Sequence, residues 1–241
     1  MPAGVSSTTK ALYGGGDTGS VVNTIDTITI ATTGNATDFG DLTAVRKRLG
    51  GDSNNTKAVF LGGNTVNDAA TPTNIIDFVT IASIGNATDF GDLTSARLGG
   101  GSASDAHGGL GEDEDYFFQR PSVTYMPGSG RALFAGGQNP GLLTTIDLTH
   151  IPTLGNSSDF GDLITGMRSL SNASSLTRAL SAGGYGPDYT DTIESVEFAS
   201  EGKAADFGNL TRAAYDPQSG NVGNTTRGIF AGGHTNPTQD N

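Results

Sequence analysis

The ten residues Gly34-Asn35-Ala36-Thr37-Asp38-Phe39-Gly40-Asp41-Leu42-Thr43 return letter for letter as Gly85 to Thr94. A chain that repeats itself with a period of tens of residues folds as an array, because one unit buries its apolar face only against the next. Looser copies follow, G-N-S-S-D-F-G-D-L-I from Gly155 and G-K-A-A-D-F-G-N-L-T from Gly202, and the central phenylalanines are Phe39, Phe90, Phe160 and Phe207. A second signature is an apolar stretch closed by two glycines: Gly15-Gly16, Gly62-Gly63, Gly136-Gly137, Gly183-Gly184 and Gly232-Gly233. Between the two lies a third, Thr24-Ile25-Asp26, Ile75-Ile76-Asp77, Thr145-Ile146-Asp147 and Thr192-Ile193-Glu194. These divide one domain, 1-241, into units of roughly 1-45, 46-96, 97-166 and 167-211 with a partial unit 212-241. The third unit carries an insertion near 99-130, read as one enlarged inter-strand loop or a decayed half repeat.

Within a unit the residues ask for strands. From Asn23 to Thr32, Ile25, Thr27, Thr29 and Ala31 alternate with Thr24, Asp26, Ile28 and Ile30, the period-two pattern of a pleated surface. The apolar stretch before each glycine pair gives another strand, and the glycines suit a sharp twist or a close backbone approach. After each D-F-G-D come Leu-Thr and then Arg46, Arg97, Arg168 or Arg212, a stretch read as supplying the third and fourth strands. About four short strands in 47 to 51 residues is the size of a propeller blade. The fold class expected is therefore all-β, a β-propeller of four-stranded blades, about four plus a partial one.

Composition narrows the chemistry. With 37 glycines and only 34% apolar residues, the chain is far from helical usage. It has no cysteine, so a disulfide framework, a thiolate metal site and a cysteine nucleophile are all excluded. A net charge of −12 would repel a phosphate backbone, so no nucleic-acid partner is expected. No apolar run reaches the ~18 residues of a spanning helix, and Met1 to Gly16 lack the basic and apolar regions of a signal peptide. The expectation is a soluble chain with no membrane insertion.

The order Gly-Gly, acidic residue, large aromatic, arginine resembles the kelch family of β-propellers. Gly16, Gly137 and Gly184 each stand 23 residues before Phe39, Phe160 and Phe207, and 10 before Asp26, Asp147 and Glu194. Phe stands where that family has Trp, and Ile precedes the acid in place of Tyr. The G-N-A-T-D-F-G-D-L-T wording is similar to repeats in virion structural proteins of tailed phages, particularly marine ones. That resemblance implies a non-enzymatic tail, fibre or surface-decorating component, located on the virion, whose partners are other virion proteins or copies of itself and a host-surface glycan. The galactose-oxidase kind of kelch-like enzyme needs a Tyr–Cys cofactor, which a chain without cysteine excludes.

The fifth glycine pair implies an acid at position 243, beyond Asn241, so the last unit holds only its first strands. A longer polypeptide or a neighbouring chain is expected to complete it, since an open strand edge invites pairing. Among candidate sites, the acid pairs Asp38 with Asp41, Asp89 with Asp92 and Asp159 with Asp162 offer hard oxygens for Ca²⁺, which takes about 6–8 of them. The same residues close turns on their own backbone, and this reading assigns them to turns. The phenylalanine between them is read as a plug between sheets. Asn35, Asn86 and Asn156 match the glycosylation acceptor pattern and are likewise read as turn residues. D-F-G is also a kinase metal-binding triplet, but four copies without a catalytic loop reject that activity. His107, His150 and His234 occupy unrelated places in the repeat, which gives neither a metal cluster nor a triad, and His150 is read as a strand-surface residue. The insertion combines Glu112-Asp113-Glu114-Asp115 with Tyr116, Phe117, Phe118 and Tyr125. It reads either as an interaction loop, with aromatic faces for a protein or a sugar, or as a hairpin covering a blade edge. The rival functional classes are a carbohydrate-binding module, Ca²⁺-assisted, and a propeller hydrolase or lyase with a deep acid-lined pocket.

Overall fold

A computed structural model describes residues 1–66, 71–106, 130–215 and 226–235. All of its regular structure is β. The first sheet is β1 (Ala3–Ser6), β2 (Lys10–Gly14), β3 (Thr24–Thr29) and β4 (Thr37–Asp41). The second is β5 (Gly50–Ser53), β6 (Lys57–Leu61), β7 (Ile75–Thr80) and β8 (Thr88–Asp92). The third is β9 (Gly101–Ser104), β10 (Arg131–Ala135), β11 (Thr145–His150) and β12 (Ser158–Asp162). The fourth is β13 (Ser171–Ser174), β14 (Arg178–Ala182), β15 (Thr192–Glu197) and β16 (Ala205–Asn209). Each is an antiparallel meander paired in chain order, the form of a propeller blade. The strands that flank the insertion, β9 and β10, pair directly with each other.

The blades succeed one another through their first strands, β1 on β5, β5 on β9 and β9 on β13. Among the described residues no comparable contact joins β13 to β1. A serine ladder ties the inner strands: the hydroxyls of Ser53, Ser104 and Ser174 donate to the carbonyls of Ser6, Ser53 and Ser104 at 2.6, 3.2 and 2.6 Å.

The D-F-G-D stretch is itself the fourth strand, and the Leu-Thr-to-Arg stretch that follows is the crossover between blades. This corrects the expectation that the latter supplies strands. The fourth strand escapes the period-two pattern because it is irregular. Between Ile25 and Asp26 the register of β3 against β4 slips, so that Ile25 faces Gly40 while Asp26 faces Asp38. The same slip recurs in the other three blades. The extra residue is the phenylalanine, and such a bulge re-aims a side chain out of the ladder.

Phe39 thereby joins Leu12, Ile25 and Leu42 of its own blade to Phe60, Val79, Ile81 and Ala87 of the next in one buried cluster. Phe90 and Phe160 hold the next two clusters in the same way. The fourth copy departs from the expected plug: Phe207 is 51% exposed, where Phe160 is 2%, because among the described residues no strand of a following blade covers it. Phe160→Ala should therefore cost about 3–5 kcal/mol, whereas Phe207→Ala should cost below about 1 kcal/mol. Urea unfolding of the two variants checks this, and equal losses would refute the assignment of the core.

Candidate functional site: the junctions between blades

The repeated motif is a two-sided fastener. Its Gly-Asn-Ala half bonds backward to the previous blade and its Phe-Gly-Asp half bonds forward to the next. The Gly85 and Ala87 amides donate to the Phe39 and Asp41 carbonyls at 2.9 and 2.8 Å, and the Asp41 amide donates to Asn86 Oδ1 at 3.1 Å. Gly155, Asn156 and Ser157 repeat this on Phe90 and Asp92. Gly202 and Ala204 repeat the backbone part on Phe160 and Asp162, with Lys203 in the place of the asparagine. Asn86 and Asn156 thus bond across a junction rather than closing their own turns, which corrects the turn reading for those two. Gly91 has no room for a side chain here, since a Cβ would lie 2.5 Å from the Gly155 carbonyl oxygen.

The glycine pairs hold the same junctions from the other end. The second glycine donates its amide to the carbonyl of Arg46, Arg97, Met167 or Ala214, seven residues past each phenylalanine, at 2.7 to 2.9 Å. All five pairs, Gly232 and Gly233 included, have positive φ, a conformation that costs a residue with Cβ dearly. The residue after each of the last four pairs bridges the crossover, Asn64 with Lys47, Gln138 with Leu98, Tyr185 with Arg168 and His234 with Tyr215.

At the first two junctions the crossover delivers a fully buried guanidinium. Arg46 donates to the carbonyls of Gly62 and Ile75 at 2.9 Å each and to Asp77 Oδ2 at 2.5 Å. Asp77 also accepts from the amide and hydroxyl of Thr43 at 3.0 and 2.6 Å. Arg97, Asp147 and Thr94 reproduce the set, with the ion pair at 2.8 Å. Burial pulls both guanidinium groups down in pKa and their aspartates oppose it. At the third junction Met167 takes the arginine's place and Glu194 the aspartate's, its Oε2 accepting from the Ile164 amide at 2.8 Å. Burial raises the Glu194 pKa, opposed by the amides of Ile164 and Thr165. Arg168 and Arg212, placed in this series by sequence, stand one residue after and two before the true positions, Met167 and Ala214.

A groove of about 470 Å³ beside this junction is lined by Met167, Asp188, Tyr189, Glu194, Asp206 and neighbouring residues. Tyr189 in its lining belongs to an aromatic cluster that sequence reasoning missed. Tyr189 stacks on Tyr215 at 5.0 Å, Tyr185 meets both edge-on at 5.7 and 6.3 Å, and His234 leans on Tyr215 at 5.1 Å. The Arg168 guanidinium lies 5.1 Å from the Tyr185 ring centre. The signal was available: the residues after successive glycine pairs, Asp17, Asn64, Gln138, Tyr185 and His234, turn aromatic only in the last two units.

The acid pairs serve strand ends. Asp38 and Asp89 accept from the amides of Gly40 and Gly91 at 3.1 Å, and Asp162 accepts from the Thr144 hydroxyl at 2.8 Å. Among the described residues no group of three or more His, Asp or Glu side chains is placed to hold a metal ion. His150 lies on β11, exposed, with Nδ1 3.1 Å from the Thr153 hydroxyl. Tyr116, Phe117, Phe118 and Tyr125, with His107, lie outside the described residues. No helix among the described residues is long and apolar enough to cross a membrane. No protein-family model matches the chain, and no curated protein is similar to it in sequence.

Proposed function

We propose that this chain is a non-enzymatic structural and interaction protein of a viral particle, a tail, fibre or surface-decorating component that docks to other particle proteins and contacts the host. One observation carries the reading. The recurring groups with chemical potential, the Arg46–Asp77 and Arg97–Asp147 pairs and the asparagines of the fastener, are consumed in joining blade to blade. Such a design supports a scaffold whose surfaces, rather than a reacting centre, do the work. The particle assignment is supported by the wording of the repeat. Mass spectrometry of gradient-purified particles of the virus that encodes the chain should recover it in stoichiometric amounts, and labelled antibody should decorate the particle surface. Recovery only from infected-cell lysate would exclude a virion role.

A second reading, a carbohydrate-binding module, is favoured by the tyrosine cluster beside the acidic groove, since flat aromatic faces lose little rotamer freedom on contact. Here Tyr189→Ala should abolish any signal on a glycan array, tested with Ca²⁺ and with chelator. Binding that survives the substitution would remove this groove from consideration.

A further inference from the structure

The three junctions define what a leading blade face looks like when covered, and the first blade presents that same face bare. Positions match by strand register. Tyr13 corresponds to Phe60 and Phe134, Ile28 to Val79 and Thr149, and Ile30 to Ile81, Ile151 and Phe198. At the first two junctions the covered side chains are at most 3% exposed, whereas Tyr13, Ile28 and Ile30 are 54, 38 and 52% exposed. Asp26 corresponds to Asp77 and Asp147, each wholly buried against a guanidinium, and is itself exposed. Gly34, Asn35 and Ala36, the backward half of the fastener, are exposed as well.

We infer that the face made by Tyr13, Asp26, Ile28, Ile30 and the Gly34–Ala36 edge docks a further blade of this same repeat type, supplied from outside residues 1–241, whose crossover arginine pairs with Asp26. The apolar residues set the shape of the partner. Asp26 sets its charge, because its two counterparts each hold an arginine located seven residues past a D-F-G phenylalanine. A second copy of the chain does not meet that requirement: the free trailing blade carries Ala214 at the arginine position, and Gly228 already sits against Ala173 on it. The inference is independent of the particle assignment, as it concerns what the face recognises and not where the protein works.

The test duplicates residues 46–98 directly ahead of Met1, which brings a second Arg97-bearing crossover into register with the first blade. Hydrogen exchange at the Gly34 and Ala36 amides should slow by about 100-fold relative to the unextended chain, as expected when exposed amides enter a cooperative sheet. Asp26→Asn should lower the unfolding midpoint of the extended protein and leave that of the unextended chain unchanged. Arg→Ala at the duplicated Arg97 should remove most of the added midpoint. Unchanged exchange, a fused unit that stays open to protease, or an Asp26→Asn effect equal in both proteins would overturn the proposal. So would sedimentation of the unextended chain as a dimer that Asp26→Asn dissociates, which would assign the face to a second copy.

Discussion

Arg46→Ala is expected to destabilise the protein by about 3–5 kcal/mol, because it strands the Asp77 carboxylate in a site with no access to water. The loss is large only if the charge stays buried, and Asp77 is 0% exposed in the second sheet. Thr43 would still bond it, but a hydroxyl and an amide do not neutralise a charge. The third junction shows how the protein manages without the pair, using Met167 with Glu194 caught by the Ile164 amide. Arg46→Met combined with Asp77→Glu copies that arrangement and should recover most of the loss. Urea midpoints for Arg46→Met, Asp77→Glu and the double close a mutant cycle. A single-variant loss below about 1 kcal/mol would mean that the pair is dispensable, a conclusion that its missing partner at Arg46 Nε already makes worth testing.

Asp52 gives the second large effect, and it depends on pH. In the inner strand β5 it takes the place that Val5 and Ala103 fill in neighbouring blades, both of them in apolar clusters. Burial, aided by the charge of Asp105 and opposed by hydrogen bonds from Ser104 and Ser53, pushes its pKa up to about 7. A carboxyl raised in the folded state costs nothing below about pH 4, where both states are protonated. The cost grows between pH 4 and 7, and it is complete above pH 7. A rise from 3.8 to about 7 corresponds to about 4 kcal/mol. Asp52→Asn removes the ionisation, so thermal melts should show the variant clearly more stable than the parent at pH 8 and little different at pH 4. A gain of equal size at both pH values would show that packing, not charge, decides.

The array, the strand periodicity and the four blades were legible because repeated wording and period-two alternation both report directly on pleated sheets. The fourth strand was not, because its register slip at Phe39 breaks the alternation that marks a strand. The arginine series failed for a different reason. Arg168 lies one residue from the homologous place, and only the carbonyl that the glycine pair selects reveals that Met167 is the true counterpart. Asn86 was misread because a side chain that bonds its own turn and one that bonds the next blade share one local sequence. Phe207 shows that the same motif buries its ring only where a neighbour follows. Tyr185 and Tyr189 belong to one unit and Tyr215 to the next, so no single unit displays the three together.

The fastener spans two units, so its halves always belong to different blades. An identical decapeptide at Gly34 and Gly85 means that deleting the 51 residues from one copy to the next would leave a protein whose remaining seams still match. Adding or removing a whole unit between identical decapeptides would thus alter the number of blades while every interior seam kept its partners.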